Sequence, residues 1–150
     1  MTFLKRSLAT SAPSSTLLIR LAVGLIFFTQ GILKFTDPHW GILRFEKIGF
    51  PYPGFTALFV ATFEIACGAL VILGLLTRLG CVPLLIINLT AIGTTKIPEL
   101  FRGDQGFWFM VSDARTDFAM CMGILFLLAA GGGGGSVDAM LANRTHPGGA

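Results

Sequence analysis

The spacing of charged residues is the feature that most constrains how this sequence can fold. Four stretches contain no Asp, Glu, Lys or Arg: residues 21–33, 65–77, 79–95 and 118–137. A helix crosses the roughly 30 Å hydrocarbon core of a bilayer with about 20 mainly apolar residues. Each stretch approaches or reaches that length once its apolar flanks are added. The chain, 150 residues long and only 13% charged, is therefore predicted to cross a membrane four times.

The predicted fold is all-α, a four-helix transmembrane bundle with antiparallel neighbours. The predicted spans are residues 16–35, 54–77, 79–97 and 116–131. A very short link between the second and third spans makes these two helices antiparallel. The longer connections after the first and third spans are expected on one side of the membrane, with both termini on the other.

The remaining segments are assigned from their composition. Residues 1–15 form an N-terminal flank, residues 16–135 the transmembrane domain, and residues 136–150 a short flexible tail. The tail follows five glycines in a row, which cannot continue a stable helix. Lys5 and Arg6 precede the first span, which favours cytoplasmic termini.

The second long connection is expected to leave the membrane interior. Pro98 is predicted to end the third span, because proline cannot donate a helical hydrogen bond. The apolar group 107–110 lies between charged residues and suggests a segment along the membrane interface. In the first long connection, Trp40 and Tyr52 suit the headgroup region.

Glu64, Arg20 and Asn88 are the polar residues that matter most inside the predicted spans. A charge at the bilayer centre is costly and usually faces the bundle interior with a partner. Glu64 and Asn88 are expected at one level near mid-membrane, and Arg20 roughly 9 Å deeper toward the terminal side. Depth therefore predicts a Glu64–Arg20 pair with Asn88 nearby. Such a pair could tie helices together, handle protons, quinone or substrate, or contact a partner.

Small residues accompany these charges. Gly24 and Gly31 recur at helical spacing on the same stripe as Arg20, and Gly68 follows Glu64 by one turn. Small residues on one face allow transmembrane helices to approach closely. The three glycines are therefore predicted to be helix-packing positions.

A second polar group is expected at the loop-side ends of the spans. Its members are Lys34, Lys96, Arg115 and Asp117. Several cations at a helix mouth could hold a small anion or a quinone headgroup. The alternative is that these long basic side chains only extend toward lipid headgroups.

Other function classes receive no support from the sequence. Cys67, Cys81 and Cys121 show neither a C-x-x-C pair nor metal-ligand spacing, so they are interpreted as small hydrophobic residues. No metal, haem or flavin motif is present in the sequence. The basic residues are scattered, which argues against nucleic-acid binding.

Taken in order, these motifs resemble the DoxX family over residues 17–138. The matching motifs are Arg20 with Gly24, Gly31-x-x-Lys34-Phe35, Glu64-x-x-x-Gly68, Gly74-Leu75-Leu76-Thr77-Arg78, Asp117, and Gly131–Gly135 with Ser136-Val137-Asp138. The resemblance implies a four-helix membrane fold, in agreement with the count of spans. It also implies a place in a membrane redox system, because some relatives are described as the membrane part of a thiosulfate:quinone oxidoreductase.

The expected function is a subunit of a quinone-linked electron-transfer system in a bacterial-type cytoplasmic membrane. Quinone is the expected ligand, and other redox subunits or further copies of the chain are the expected partners. Any electron carrier would belong to the substrate or to a partner. Two alternatives stay open: a non-catalytic subunit that anchors a larger redox complex, and a small transporter.

Overall fold

The computed structural model describes residues 12–101 and 106–144, and regular structure there is helical. The helices are α1 (Thr16–Thr36), α2 (Ile42–Ile48), α3 (Pro53–Leu73), α4 (Thr77–Ala91), α5 (Ile97–Phe101), α6 (Gly106–Ala130) and α7 (Val137–Arg144). A π-helical turn, Ile92–Lys96, joins α4 to α5 without a break. The prediction of an all-α, four-helix bundle is confirmed: its members are α1, α3, the continuous helix from α4 to α5, and α6.

Three helices in the described part of the chain are long and apolar enough to cross a membrane. They are Thr16–Thr36, Pro53–Leu73 and Thr77–Phe101. The fourth long helix, α6, has 25 residues but carries Asp113, Arg115 and Asp117 in its first half. Its second half is free of charge and contributes Ile124 and Leu127 to the hydrophobic core.

Three predicted boundaries differ from the structure. The second span ends at Leu73, before the predicted end at residue 77. The third span does not end at Pro98 but continues to Phe101. Pro98 lies directly after the π turn of this continuous helix, where the regular α-helical hydrogen-bond pattern is already interrupted. The segment expected along the interface, residues 107–110, is instead part of α6, which begins at Gly106.

The hydrophobic core draws equally on the four long helices. Its buried residues are Val23 and Phe27 of α1, Cys67 and Val71 of α3, Cys81 and Leu84 of α4, and Ile124 and Leu127 of α6. Cys67 and Cys81 are free thiols within it. The helical faces opposite this core expose large apolar side chains, as expected of a protein surrounded by lipid.

The tightest helix contact lies between α1 and α3. A Cβ atom added to Gly68 would lie 2.9 Å from the backbone nitrogen of Phe28. One added to Gly31 would lie 2.8 Å from the carbonyl oxygen of Ala61, and one added to Gly24 would lie 3.0 Å from that of Gly68. The structure therefore places all three glycines where the two backbones meet.

The segment after α6 folds back onto the turn between α3 and α4. Asp138 is only 1% exposed. Its Oδ1 accepts a hydrogen bond from the Leu76 amide at 2.7 Å, and its Oδ2 accepts from the Thr77 amide at 3.0 Å and the Thr77 hydroxyl at 2.9 Å. The carboxylate therefore caps the free amides at the start of α4.

The prediction of a flexible tail from residue 136 is wrong for residues 136–144. Gly131 and Gly133 have φ of 81° and 78°, a region open to glycine, and so reverse the chain. The Ser136 hydroxyl then accepts a hydrogen bond from the Ala139 amide at 3.1 Å and starts α7. Glycines that cannot continue a helix thus form a defined turn.

Replacing Gly68 by Ala is expected to destabilise the bundle by about 1–3 kcal/mol, because the added methyl group meets backbone atoms of α1. Gly54→Ala is the matched control in the same helix, since a Cβ at Gly54 has no atom within 4 Å. Thermal unfolding in detergent measures both. Equal melting temperatures for the two variants would contradict the packing role of Gly68.

Replacing Asp138 by Ala is expected to cost about 2 kcal/mol, because the Leu76 and Thr77 amides lose their cap. Glu46→Ala removes an exposed carboxylate of α2 and serves as the control. Chemical unfolding in detergent compares the two variants. Stability losses of the same size would show that the C-terminal contact contributes nothing.

Candidate functional site

A cavity of about 510 Å³ opens among the long helices on the loop side of the bundle. Its apolar wall includes Phe27, Phe45, Ile48, Phe59, Val60 and Ile87. Its charged lining residues are Lys34, Arg44, Glu64, Lys96, Asp113 and Asp117. Apolar walls with a few convergent polar groups, in a volume of about 300–1,000 Å³, are typical of small-molecule sites.

An ion pair between Lys34 and Glu64 lies at the buried end of this cavity. Lys34 Nζ is 2.6 Å from Glu64 Oε2, and the two side chains are 12% and 5% exposed. Lys34 is in the last turn of α1, and its long apolar stem allows the ammonium group to reach inward. Because α1 and α3 are in close contact, this reach is enough to meet Glu64.

The predicted Glu64–Arg20 pair is therefore wrong. Arg20 is buried at the opposite end of α1, where its guanidinium donates hydrogen bonds to carbonyl oxygens. The acceptors are Gly132 at 2.8 Å, Ile72 at 3.3 Å and Gly135 at 3.5 Å. Arg20 thus ties α1 to the end of α3 and to the glycine-rich turn, and it has no contact with the cavity.

Asn88 lines the cavity but does not hydrogen-bond to Glu64. Its Nδ2 donates to the backbone carbonyl of Asp117 at 2.8 Å. This bond joins α4 to α6 beside the site. The prediction that Asn88 lies near Glu64 holds only in the sense that both face the same cavity.

A second ionic group lies on the loop side of the cavity. Lys96 forms an ion pair with Asp113, and its Nζ is 3.9 Å from Asp117 Oδ2. Lys96 is the last residue of the π turn, a kind of insertion that is frequent at functional sites. The side chains of Asp113 and Asp117 are 39% and 26% exposed, so this group is more accessible than Glu64.

Three of the four residues predicted for the loop-side group line the cavity: Lys34, Lys96 and Asp117. Arg115 does not, since it is exposed and donates to Ser112 Oγ at 3.1 Å. The reason is helical geometry. Residues four apart share a face, whereas a residue two away points elsewhere. Asp113 therefore joins Asp117 in the cavity, and this spacing could have identified it from the sequence.

Trp40 and Arg44 complete the site from the first long connection. The Arg44 guanidinium lies 5.5 Å from the centre of the Trp40 ring, a cation–π contact. The turn before them is held by Asp37, which accepts the His39 amide at 2.9 Å. That hydrogen bond lowers the pKa of the Asp37 carboxyl below its ordinary value. The sequence predicts Trp40 at the headgroup region, and the structure places it in the cavity wall.

Glu64→Gln is expected to destabilise the protein by about 3 kcal/mol, because it leaves the Lys34 charge buried without a partner. Lys34→Met is expected to cause a similar loss of stability, because it leaves the Glu64 charge buried without a partner. The double variant, Lys34→Met with Glu64→Gln, should recover most of the loss. Chemical unfolding of the four proteins gives the coupling energy. Strictly additive losses would show that the pair contributes no interaction of its own.

Comparison with known proteins identifies the family of this chain. The family model for DoxX matches residues 15–97. An uncharacterized membrane protein of Mycobacterium tuberculosis is 47% identical over 144 residues, covering 93% of this chain and 88% of the relative. A Bacillus subtilis protein, named CatD as a candidate oxidoreductase, is 36% identical over 96 residues, covering 64% of this chain and 70% of the relative.

No solved structure matches this chain. The family match covers more than half of the sequence, and it contains Arg20, Lys34, Glu64, Asn88 and Lys96. The charged residues of α6 and the C-terminal contact lie beyond it. The chain is an integral membrane protein and belongs to the DoxX family.

Proposed function

We propose that this protein is the quinone-binding membrane subunit of a redox system, and that the cavity holds the quinone headgroup. The observation that carries the proposal is the cavity itself. It has an apolar wall, the buried Lys34–Glu64 ion pair, and the more exposed Lys96–Asp113–Asp117 group. This combination suits a flat apolar ring that carries hydrogen-bonding oxygens.

The residues of the cavity fit the chemical needs of a quinone. Lys34 Nζ and Lys96 Nζ are donors that a carbonyl oxygen of the ring can accept from. Reduction of a quinone to a quinol consumes two electrons and two protons, so a site must also deliver protons. Glu64 at the buried end and Asp117 toward the loop side are the carboxyl groups placed to hold them.

The electrons come from a partner in this proposal. A sulfur anion such as thiosulfate is the donor that the family resemblance suggests. Two thiosulfate ions release two electrons on forming one tetrathionate. One quinone takes up these two electrons together with two protons to form the quinol, so the step balances. Support for a redox role comes from the name of the Bacillus subtilis relative. Both termini are proposed to face the cytoplasm of a bacterial-type membrane.

A non-catalytic anchoring subunit is the second candidate. The observation that favours it is an exposed aromatic group where α5 ends and α6 begins. Phe101 is 79% exposed, Trp108 80% and Phe107 55%. Such residues are enriched in the buried parts of protein interfaces. Loss of a co-purifying redox partner on Trp108→Ser, with unchanged quinone binding, would favour this candidate.

The two tryptophans of the chain allow a direct test of the first proposal. Trp40 lines the cavity and Trp108 does not. Trp108→Phe therefore leaves one fluorophore at the site, and Trp40→Phe leaves one outside it. In lipid nanodiscs, a benzoquinone with a short tail is expected to quench Trp40 saturably and Trp108 only by linear, collisional quenching. Identical quenching of both residues would overturn the proposal.

Lys34→Gln is expected to weaken this saturable binding about tenfold, a loss of about 1.4 kcal/mol, because a charged hydrogen-bond donor is removed. Lys47→Gln changes an exposed lysine of α2 outside the cavity and is the control. The measurement is the quinone concentration, per lipid, at half-maximal quenching of Trp40. Equal weakening by both substitutions would point to a general charge effect and against a role of Lys34.

A further inference from the structure

We infer that the apolar groove between α1 and α6 binds the isoprenoid tail of a quinone whose headgroup occupies the cavity. This inference rests on the proposed function and extends it to a second binding surface. The groove has a volume of about 490 Å³. Leu18, Ile19 and Val23 of α1 line one wall, and Ala119, Gly123 and Phe126 of α6 line the other.

The groove and the cavity meet at one residue. Met120 lines both. Methionine is unbranched and flexible, and in this proposal a different rotamer of Met120 joins the two spaces. A molecule with a polar head and an apolar tail can therefore extend from one space into the other past this side chain.

The order of residues along both helices shows a continuous track. On α1, Lys34 and Phe27 line the cavity, and Val23 and Ile19 line the groove, in descending order toward the terminal side. On α6, which runs in the opposite direction, Asp113 and Asp117 line the cavity. The groove residues Gly123 and Phe126 follow. Both walls thus change from ionic to apolar in the same direction, which matches the two ends of a quinone.

α1 and α6 meet closely at Gly123, where an added Cβ would lie 2.6 Å from Val23 Cγ2, but the contact between the two helices is short. Contacts of α1 with α3, and of α4 with α6, are each more extensive than those of α1 with α6. Small side chains at Ala22 and Ala119 leave the space between the two helices open. The wall from Ala119 to Phe126 is about 10 Å long at 1.5 Å per residue. It would therefore hold the beginning of the tail, and the rest would lie among lipid chains.

A photoreactive quinone tests this assignment. The probe is a benzoquinone whose alkyl tail ends in a diazirine, irradiated with the full-length protein in nanodiscs. Covalent label, read by mass spectrometry, is expected within residues 18–23 and 119–126. An excess of unlabelled quinone with the same tail should displace it. Ala119→Phe is expected to lower the labelling about fivefold or more by filling the groove.

Control variants separate a filled groove from a damaged protein. Ala66→Phe adds the same bulk at an exposed position of α3 that lines neither space, and it should leave the labelling unchanged. Ala22→Phe fills the groove from α1 and should repeat the effect of Ala119→Phe. Quenching of Trp40 by a tail-less benzoquinone should stay unchanged in all three, which shows that the headgroup site is intact.

Each outcome decides a different claim. Label lost from the groove with intact Trp40 quenching supports the tail site. Label spread over every lipid-facing helix, or unaffected by Ala119→Phe, shows that only bilayer lipid covers the groove and overturns the inference while the proposed function stands. Absence of saturable Trp40 quenching in the unsubstituted cavity overturns the proposed function and the tail site with it.

Discussion

The close approach of α1 to α3 is the contact on which the site depends. Gly31 and Gly68 bring the two backbones within van der Waals distance, so that any side chain at either position would meet backbone atoms. Between lipid-surrounded helices there is no hydrophobic driving force, and such close packing supplies much of the attraction. The same close approach brings the ammonium group of Lys34 within reach of Glu64. A wider separation of the two helices would leave each charge without its partner.

The two ends of the bundle satisfy their buried charges in different ways. At the loop side, Glu64 is met by a side chain of opposite charge and faces a cavity. At the terminal side, Arg20 is met by backbone carbonyls, and Asp138 by backbone amides and a hydroxyl. The terminal side is therefore a structural contact between segments distant in sequence, while the loop side retains accessible polar groups.

Charge spacing was enough to predict the helical bundle, and spacing from Arg20 and Glu64 selected Gly24, Gly31 and Gly68 as candidate packing positions. Both patterns reflect the bilayer. A chain that crosses it needs long apolar helices, and close contact between helix backbones stabilises their association there. The pairing of Glu64 could not be predicted from depth, since a lysine stem spans several ångströms and Lys34 reaches inward from the helix end. The ordered C-terminal segment was missed because its stability comes from amides of a distant turn, Leu76 and Thr77, which leave no local signal.

The two sides of α1 differ in their packing. α1 contacts α3 more extensively than it contacts α6, and an apolar groove lined by α1 and α6 lies on this other side. In the proposed function, a quinone dissolved in the lipid would reach the cavity between helices. The proposed route past Met120 to Lys34 and Glu64 would meet this requirement without a large movement of the bundle. The same helix thus packs into the core on one face and lines the proposed ligand route on the other.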